Sequence, residues 1–176
     1  MAVLVWTLPG GKKTTLASTA PGKILWLNFD PDGCDSIRAR AADRGDVILL
    51  DLSDKGHQVT QNFTNEDPYN IGRVLKEHPD IETVVFDSLT AFADLATEDA
   101  IASPTNKNST ITAPGQNGYA WRNSLTRKAF VNVLRLTKKY NRHFIATCHE
   151  KEEMVGDTVE GFTLSLSSSL IGQLGL

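Results

Sequence analysis

An α/β fold, with a mostly parallel central sheet and helices on both faces, is the architecture that the sequence predicts. Three observations favour it. Short apolar segments alternate with helical segments along most of the chain, and parallel strands need such helix-length crossovers. The 176 residues, 40% hydrophobic and 22% charged, suit a single domain with a substantial core. Polar clusters also follow four of the predicted strands, at the sheet edge where α/β proteins bind ligands.

In the first half of the chain, strands are predicted at residues 3–6, 23–29 and 47–52, and helices at 14–19 and 35–44. Pro21-Gly22 ends the first helix, and Gly45 is a typical C-cap for the second. Residues 55–63 are predicted to form a further edge strand. A helix then opens at Asp67-Pro68, because proline fits the first turn, and runs to about Glu77.

In the second half, a very apolar strand is predicted at residues 83–86 and a helix at 89–100. Residues 102–118 are rich in Pro, Gly and Asn and are longer than a simple connector, so we expect a functional or mobile loop. The longest helix is predicted at 118–140. Strands follow at 143–148 and 162–166.

The stretch TLPGGKKTT, residues 7–15, has the layout of a phosphate-binding loop. It lies between a strand and a helix, so backbone N–H groups and a helix N-terminus would face an anion, and a lysine would add charge. A lysine-rich turn that binds nothing is the competing interpretation. The residues predicted to contact a nucleotide are Pro9, Gly10, Gly11, Lys12, Lys13, Thr14 and Thr15.

The other polar clusters lie at residues 30–32, 87–88 and 149–151. At such a site, the Lys13 ammonium would contact the β- and γ-phosphates of a nucleotide, and the Thr14 hydroxyl would bind Mg²⁺. Asp87 would hold the Mg²⁺ from the opposite side. An aspartate in that place is also a common helix N-cap, and Ser88 fits a capping role equally well.

Two further residues are candidates for catalysis. Asp32 is preferred over Asp30 to orient or deprotonate the attacking water. His149 would sense the γ-phosphate. The simpler interpretations are an Asp-Pro-Asp-Gly turn and a solvent-exposed histidine.

The long helix carries Tyr119, Trp121 and Arg122 near its start, followed by further basic residues. Aromatic rings stack on bases and cations contact phosphates, so this helix is a candidate surface for single-stranded DNA. The same residues also fit a helix whose aromatics pack in the core and whose charges face solvent.

The composition excludes several classes of protein. The net charge of −3 gives no global basic field for nucleic acid, so DNA binding would need a local patch or several subunits. No apolar run approaches the ~18–20 residues of a membrane span, so no membrane partner is expected. Cys34 and Cys148 lack metal-binding spacing, and we expect a reduced, cytoplasmic setting.

In their order along the chain, these clusters resemble the RecA-like branch of P-loop ATPases. The match rests on the Lys13-Thr14 turn, the Asp30-x-Asp32 strand end, VVFDS at residues 84–88 and IATCHEK at residues 145–151. In detail the chain is similar to phage-encoded ATPases of single-strand annealing and recombination. The resemblance implies ATP and Mg²⁺ as cofactors, DNA-dependent hydrolysis, binding of single-stranded DNA and a homo-oligomeric ring or filament. It makes Lys13 and Thr14 the Walker A pair and Asp87 the Walker B aspartate.

The chain departs from the family pattern in three respects. Thr7 and Lys12 stand where the Walker A loop has glycines. Asp32 stands where RecA-like proteins carry a catalytic glutamate, and it is one methylene shorter. Family members also continue with another strand or tail, so the end at LGL favours a shortened chain.

From these observations we expect residues 1–176 to form one RecA-like ATPase domain that acts on single-stranded DNA in phage recombination or replication, in the host cytoplasm. Two alternatives stay open. The first is a phage structural or accessory module with a weak or inactive nucleotide site, which the degenerate loop favours. The second is a DNA-packaging motor, although such a strand normally ends in Asp-Glu rather than Asp87-Ser88.

Overall fold

A computed structural model describes residues 1–8, 11–31, 33–53, 57–102, 116–155 and 158–164. Six strands and six α-helices alternate within these ranges, and a 3₁₀ turn at Pro68–Asn70 precedes the fourth helix. In chain order they are β1 (Ala2–Thr7), α1 (Lys13–Ala17), β2 (Lys23–Asn28), α2 (Asp35–Arg44), β3 (Val47–Asp51), α3 (His57–Asn62), α4 (Ile71–Glu77), β4 (Ile81–Asp87), α5 (Leu89–Ala102), α6 (Gln116–Lys139), β5 (His143–Val155) and β6 (Thr158–Leu164).

Five strands form a parallel sheet in the order β1-β5-β4-β2-β3. This confirms the predicted α/β architecture. The fifth strand, β5, is inserted between β1 and β4, so the carboxyl ends of β1 and β4 both adjoin the inner part of β5. The outer part of β5, from Glu150 to Val155, extends beyond the parallel sheet and pairs with β6 in antiparallel orientation. The predicted strand at 162–166 is thus part of β6, and residues 165–166 lie outside the described ranges.

Helices cover both faces of the sheet, and alternate residues of each strand point to opposite sides. On β2, Leu25 and Leu27 belong to the larger apolar cluster, which α3, α4, α5 and α6 cover. Ile24 and Trp26 belong to a smaller cluster on the opposite face, under α1 and α2. Because both faces are buried, the central strands are apolar almost throughout, which explains why their positions can be predicted from hydrophobic runs alone.

The prediction of an edge strand at residues 55–63 is wrong, because residues 57–62 form α3. Val59, Thr60 and Phe63 are all fully buried. Adjacent residues 59 and 60 would point to opposite faces of a strand, whereas positions i, i+1 and i+4 share one face of a helix. The Thr60 hydroxyl donates to the buried Asp99 carboxylate on α5 at 3.0 Å. Packing against α5 therefore favours a helix over a strand at residues 57–62.

No helix in the described ranges has the length and apolar character needed to cross a membrane.

Candidate active site

The carboxyl ends of the parallel strands bring three of the predicted clusters together. Thr7 at the end of β1 is in register with His149 on β5. Asp87 at the end of β4 is in register with Asn28 at the end of β2. Because β5 lies between β1 and β4, His149 is placed between the phosphate-loop strand and the strand that carries Asp87.

The side chain of Lys13 is buried at the start of α1. Its Nζ donates hydrogen bonds to the backbone carbonyls of Thr7, at 3.2 Å, and Leu8, at 3.4 Å. The cation therefore lies inside the curve of the loop, where phosphate oxygens could replace these carbonyls. Helix α1 has only five residues, so its dipole would add little to the attraction of an anion, and Lys13 supplies the full positive charge at this position.

Just before α1, Gly11 lies close to the end of β1, and its N–H donates to the Leu8 carbonyl at 3.0 Å. A Cβ added to Gly11 would lie 1.5 Å from the Thr7 hydroxyl oxygen and 2.9 Å from the Leu8 carbonyl, so only glycine fits there. Lys12 has a left-handed backbone, with φ of 61° and ψ of 28°, a conformation that glycine adopts more easily. Thr15 is exposed. Pro9 and Gly10, also predicted to contact nucleotide, lie outside the described residues.

The carboxylate of Asp87 is almost completely buried, with 3% of the residue exposed. Two threonine hydroxyls donate to it: Thr147 on β5 to Oδ1, and Thr14 on α1 to Oδ2 at 3.3 Å. Burial raises the pKa of Asp87, while these hydrogen bonds act in the opposite direction. A buried carboxylate that is ionised is stabilised when a cation binds beside it.

The oxygens of Thr14 and Asp87 fit the predicted magnesium site. Both are hard ligands, and Mg²⁺ usually takes one or two protein oxygens together with phosphate and water. In the part of the chain that the structure describes, no cluster of three or more His, Cys, Asp and Glu side chains could hold a metal by itself. A magnesium ion held by Thr14 and Asp87 would complete its coordination with phosphate or water oxygens and would neutralise phosphate charge.

His149 faces Asp30 across the edge of the sheet, with 3.7 Å between Nε2 and Oδ2. Its backbone N–H donates to the Thr90 hydroxyl on α5 at 2.9 Å, which fixes the end of the inner part of β5. Burial and the nearby Lys13 charge lower the pKa of His149, and Asp30 acts against them. The imidazole is consequently neutral near pH 7 and can respond to a new charge beside it.

A cavity of about 450 Å³ opens on the Asp30 side of His149. The turn that follows β2 and the first turns of α5 line it, and Asp94 and Glu98 add carboxylates. The favoured catalytic residue, Asp32, lies outside the described residues, two positions after Asp30. The structure thus brings Asp30 to His149 and leaves the role of Asp32 as a prediction.

Ser88 has the capping role. It follows Asp87 through a cis peptide bond, and its hydroxyl accepts the N–H of Ala91 at 3.1 Å in the first turn of α5. Sequence analysis missed three polar residues that support the site: Asn28, Thr90 and Thr147. Each is buried. A polar residue near the end of an apolar run is the signal that would have indicated Asn28 and Thr147, whereas Thr90 lies in the first turn of α5, where the sequence offers no such signal.

The start of α6 presents two aromatic side chains to solvent. Tyr119 is 43% exposed and Trp121 is 46% exposed, so these rings do not pack in the core. The Arg122 guanidinium lies over the Tyr119 ring, 5.1 Å from its centroid. The core side of the helix is formed by other residues, among them Leu125, Ala129 and Val133.

A parallel α/β sheet with a lysine–threonine turn after one strand and a buried aspartate at the end of another is the architecture of P-loop ATPase domains. Comparison with protein families agrees with this class. The family model described as an AAA domain matches residues 1–173, which is nearly the whole chain, and the protein therefore belongs to the AAA domain family. No curated protein matches the chain significantly.

Proposed function

We propose that this protein binds ATP with Mg²⁺ at the Lys13–Asp87 site, hydrolyses it, and couples hydrolysis to single-stranded DNA in phage recombination or replication. The observation that carries the ATP site is the convergence of Lys13, Thr14 and Asp87, two of them in direct contact, at the carboxyl edge of the sheet. Membership of the AAA domain family supports nucleotide binding.

Each residue has a defined task in this proposal. The Lys13 ammonium exchanges the carbonyls of Thr7 and Leu8 for phosphate oxygens. Thr14 and Asp87 hold the magnesium ion, which neutralises phosphate charge. Asp32 orients the attacking water, and His149, neutral before nucleotide binds, senses the charge of the γ-phosphate.

The decisive experiment measures ATP turnover and affinity in the wild type, Lys13→Ala and Lys23→Ala. Lys13→Ala should abolish nucleotide binding. Lys23→Ala is the matched control, because it removes the same charge from the opposite end of the sheet, where Lys23 pairs with Asp80 at 3.1 Å. Unchanged ATP affinity in Lys13→Ala would refute the proposed site. Equal losses of affinity in both variants would show that the loss reflects only the change in net charge.

The exposed rings of Tyr119 and Trp121 support the DNA part of the proposal. Bases stack on exposed aromatic side chains, at about 1–3 kcal/mol per base, and Arg122 places a cation beside them. Several subunits in a ring or filament would align such surfaces along one strand, which would compensate for the acidic net charge of each chain.

Binding of a fluorescent oligothymidine at increasing salt tests this surface. Phosphate contacts should give a steep fall of log K with log salt. Tyr119→Ala and Trp121→Ala should each weaken binding about 5–100-fold, as loss of one stacked base predicts. Val131→Ala, which removes an exposed apolar side chain from the same helix, should have no effect. Wild-type affinity in both aromatic variants would rule out stacking here.

One observation favours a second candidate, an accessory module with a weak nucleotide site. Lys12 adopts the left-handed conformation at the loop position that is glycine in the family pattern, and its side chain restricts close approach of the backbone to phosphate. A thermal-shift titration with Mg-ATP separates the candidates. A specific site at about 100 times its Kd adds roughly 2.7 kcal/mol of stability, whereas a module without such a site gains none.

A further inference from the structure

Asn28, the last residue of β2, uses its side chain to hold the turn that follows. The residue is fully buried. Its Nδ2 donates to the carbonyl oxygen of Asp30 at 2.9 Å, and its Oδ1 accepts the N–H of Asp30 at 3.3 Å. Both backbone groups of Asp30 are therefore bound to one amide. A single side chain thus fixes the position and the direction of Asp30.

Asp51, at the end of the neighbouring β3, holds Asn28 in place. Its Oδ1 accepts the second Nδ2 hydrogen bond of Asn28 at 2.9 Å and the Ser53 hydroxyl at 2.8 Å. Its Oδ2 accepts from the Arg38 guanidinium on α2. Burial alone would favour the neutral acid, but these hydrogen bonds outweigh it and hold the pKa of Asp51 well below its usual range. The ionised carboxylate can only accept, so the orientation of the Asn28 amide is determined.

The turn held in this way faces the candidate active site. The backbone N–H of Phe29 donates to the carbonyl of Asp87 at 2.7 Å, and the Asp30 carboxylate lies 3.7 Å from the His149 imidazole. Asp32, the predicted catalytic carboxylate, is two residues further along. A shift of the turn would therefore change the position of Asp30 against His149.

We propose that Asn28, held by Asp51 and Arg38, is a positioning residue that aligns the Asp30 turn with His149 and so determines the turnover rate rather than the affinity for nucleotide. This inference rests on the proposed ATP hydrolysis. The side-chain hydrogen bonds of Asn28 go to Asp30 and Asp51, whereas the proposed nucleotide contacts belong to Lys13, Thr14 and Asp87. Small misplacements of catalytic groups lower kcat strongly without weakening binding.

Three variants test the proposal. Asn28→Ala removes both hydrogen bonds between the Asn28 side chain and the backbone of Asp30. Asn28→Ser keeps a hydroxyl that can accept the N–H of residue 30, more weakly than asparagine does. Thr83→Val is the matched control: Thr83 is also fully buried, and its hydroxyl donates to the Pro21 carbonyl at 2.9 Å at the opposite end of the sheet.

Steady-state kinetics should separate kcat from KM. We expect kcat to fall at least about tenfold in Asn28→Ala and by less in Asn28→Ser, with KM and Mg-ATP affinity within about threefold of the wild type in both variants. Thr83→Val should keep the wild-type kcat even though it loses a buried hydrogen bond. Equal kcat losses in Asn28→Ala and Thr83→Val would reduce Asn28 to a merely structural residue and overturn the proposal.

A second readout does not depend on ATP. NMR titration of the His149 imidazole reports its distance from Asp30, because the Asp30 charge favours the protonated ring. Asn28→Ala should lower the measured pKa of His149, Asn28→Ser should lower it less, and Thr83→Val should leave it unchanged. A wild-type protein that neither binds nor hydrolyses ATP would refute the proposed function and with it the kinetic role of Asn28, whereas the His149 titration would still show whether Asn28 positions Asp30. An unchanged His149 titration with unchanged kcat in Asn28→Ala would refute this inference alone.

Discussion

Lys12 stands where the family pattern has glycine, and its left-handed backbone lowers the stability of the folded protein. A side chain in the left-handed conformation costs about 1–2 kcal/mol, which glycine avoids. We expect Lys12→Gly to raise the free energy of unfolding by about 1 kcal/mol, or Tm by about 2–4 °C, as measured by urea and thermal unfolding. Asn141→Gly, at a similar φ of 54°, should gain less, because asparagine tolerates this conformation. A loss of stability in Lys12→Gly would contradict the interpretation.

Asp87 illustrates a conflict between stability and function at a single residue. Its pKa is raised by burial, so the ionised form is disfavoured in the protein without a bound cation. Asp87→Asn keeps the shape and removes the charge. It should raise the Tm of the nucleotide-free protein by a few degrees and abolish the extra stabilisation by Mg-ATP over ATP alone. Both effects are read from one set of thermal-shift curves. Magnesium-dependent stabilisation in Asp87→Asn would exclude Asp87 as a metal ligand.

Among the elements, β2 and α5 are joined by an aromatic cluster directly beneath the site. The Phe92 ring on α5 contacts Phe29 at 5.1 Å, Phe63 at 5.4 Å and Phe86 at 5.6 Å between centroids. All four residues are fully buried. The cluster supports the turn that carries Asp30 and the start of α5, which carries Thr90.

Removing one ring should leave a cavity that the others cannot fill. Phe92→Ala is expected to lower the free energy of unfolding by about 3–5 kcal/mol, measured by urea denaturation. Leu16→Ala, on the exposed side of α1 with 58% of the residue accessible, should change it by less than about 0.5 kcal/mol. Comparable losses in the two variants would mean that the cluster does not pack as described.

For most elements, sequence patterns were sufficient. Helix α2 was predicted with the observed bounds, and Gly45 has the left-handed conformation that its C-cap role requires. Helix α3 was not predicted, because Val59 and Phe63 share a face in a strand as well as in a helix. The burial of the adjacent residues Val59 and Thr60 and the contact of Thr60 with Asp99 on α5 distinguish the two. That contact joins residues 39 positions apart.

At the scale of the whole molecule, stability depends on pH through His149. Its pKa is lower in the folded protein than the ordinary 6.5, so the unfolded chain binds a proton first as pH falls. The contribution of His149 to stability is therefore present above about 6.5 and is lost as pH falls through the folded pKa. Asp87, whose pKa is raised, has the opposite sign: its contribution is lost as pH rises through its folded pKa.

Comparing the pH dependence of stability in the wild type and in His149→Gln isolates the contribution of His149. Between pH 7 and 5, the free energy of unfolding should fall more steeply in the wild type than in His149→Gln, because the Asp87 contribution cancels in the comparison. Urea denaturation at several pH values measures both slopes. His78→Gln, an exposed histidine at the end of α4, serves as the control. Equal slopes in the wild type and His149→Gln would show that burial does not disfavour the charged ring.

The sequence by itself determined the α/β class, the strand ends that form the site and the residue types of the candidate nucleotide site. Apolar runs, glycine and proline act locally, and the carboxyl ends of parallel strands always share an edge. The tertiary structure decided which side chains meet. Folding brings Thr147 to Asp87 and Asp30 to His149. It leaves Tyr119 and Trp121 exposed to solvent. It also places the Asn28 side chain where it supports the Asp30 turn. These contacts depend on strand order and packing across the sheet, which no local pattern encodes.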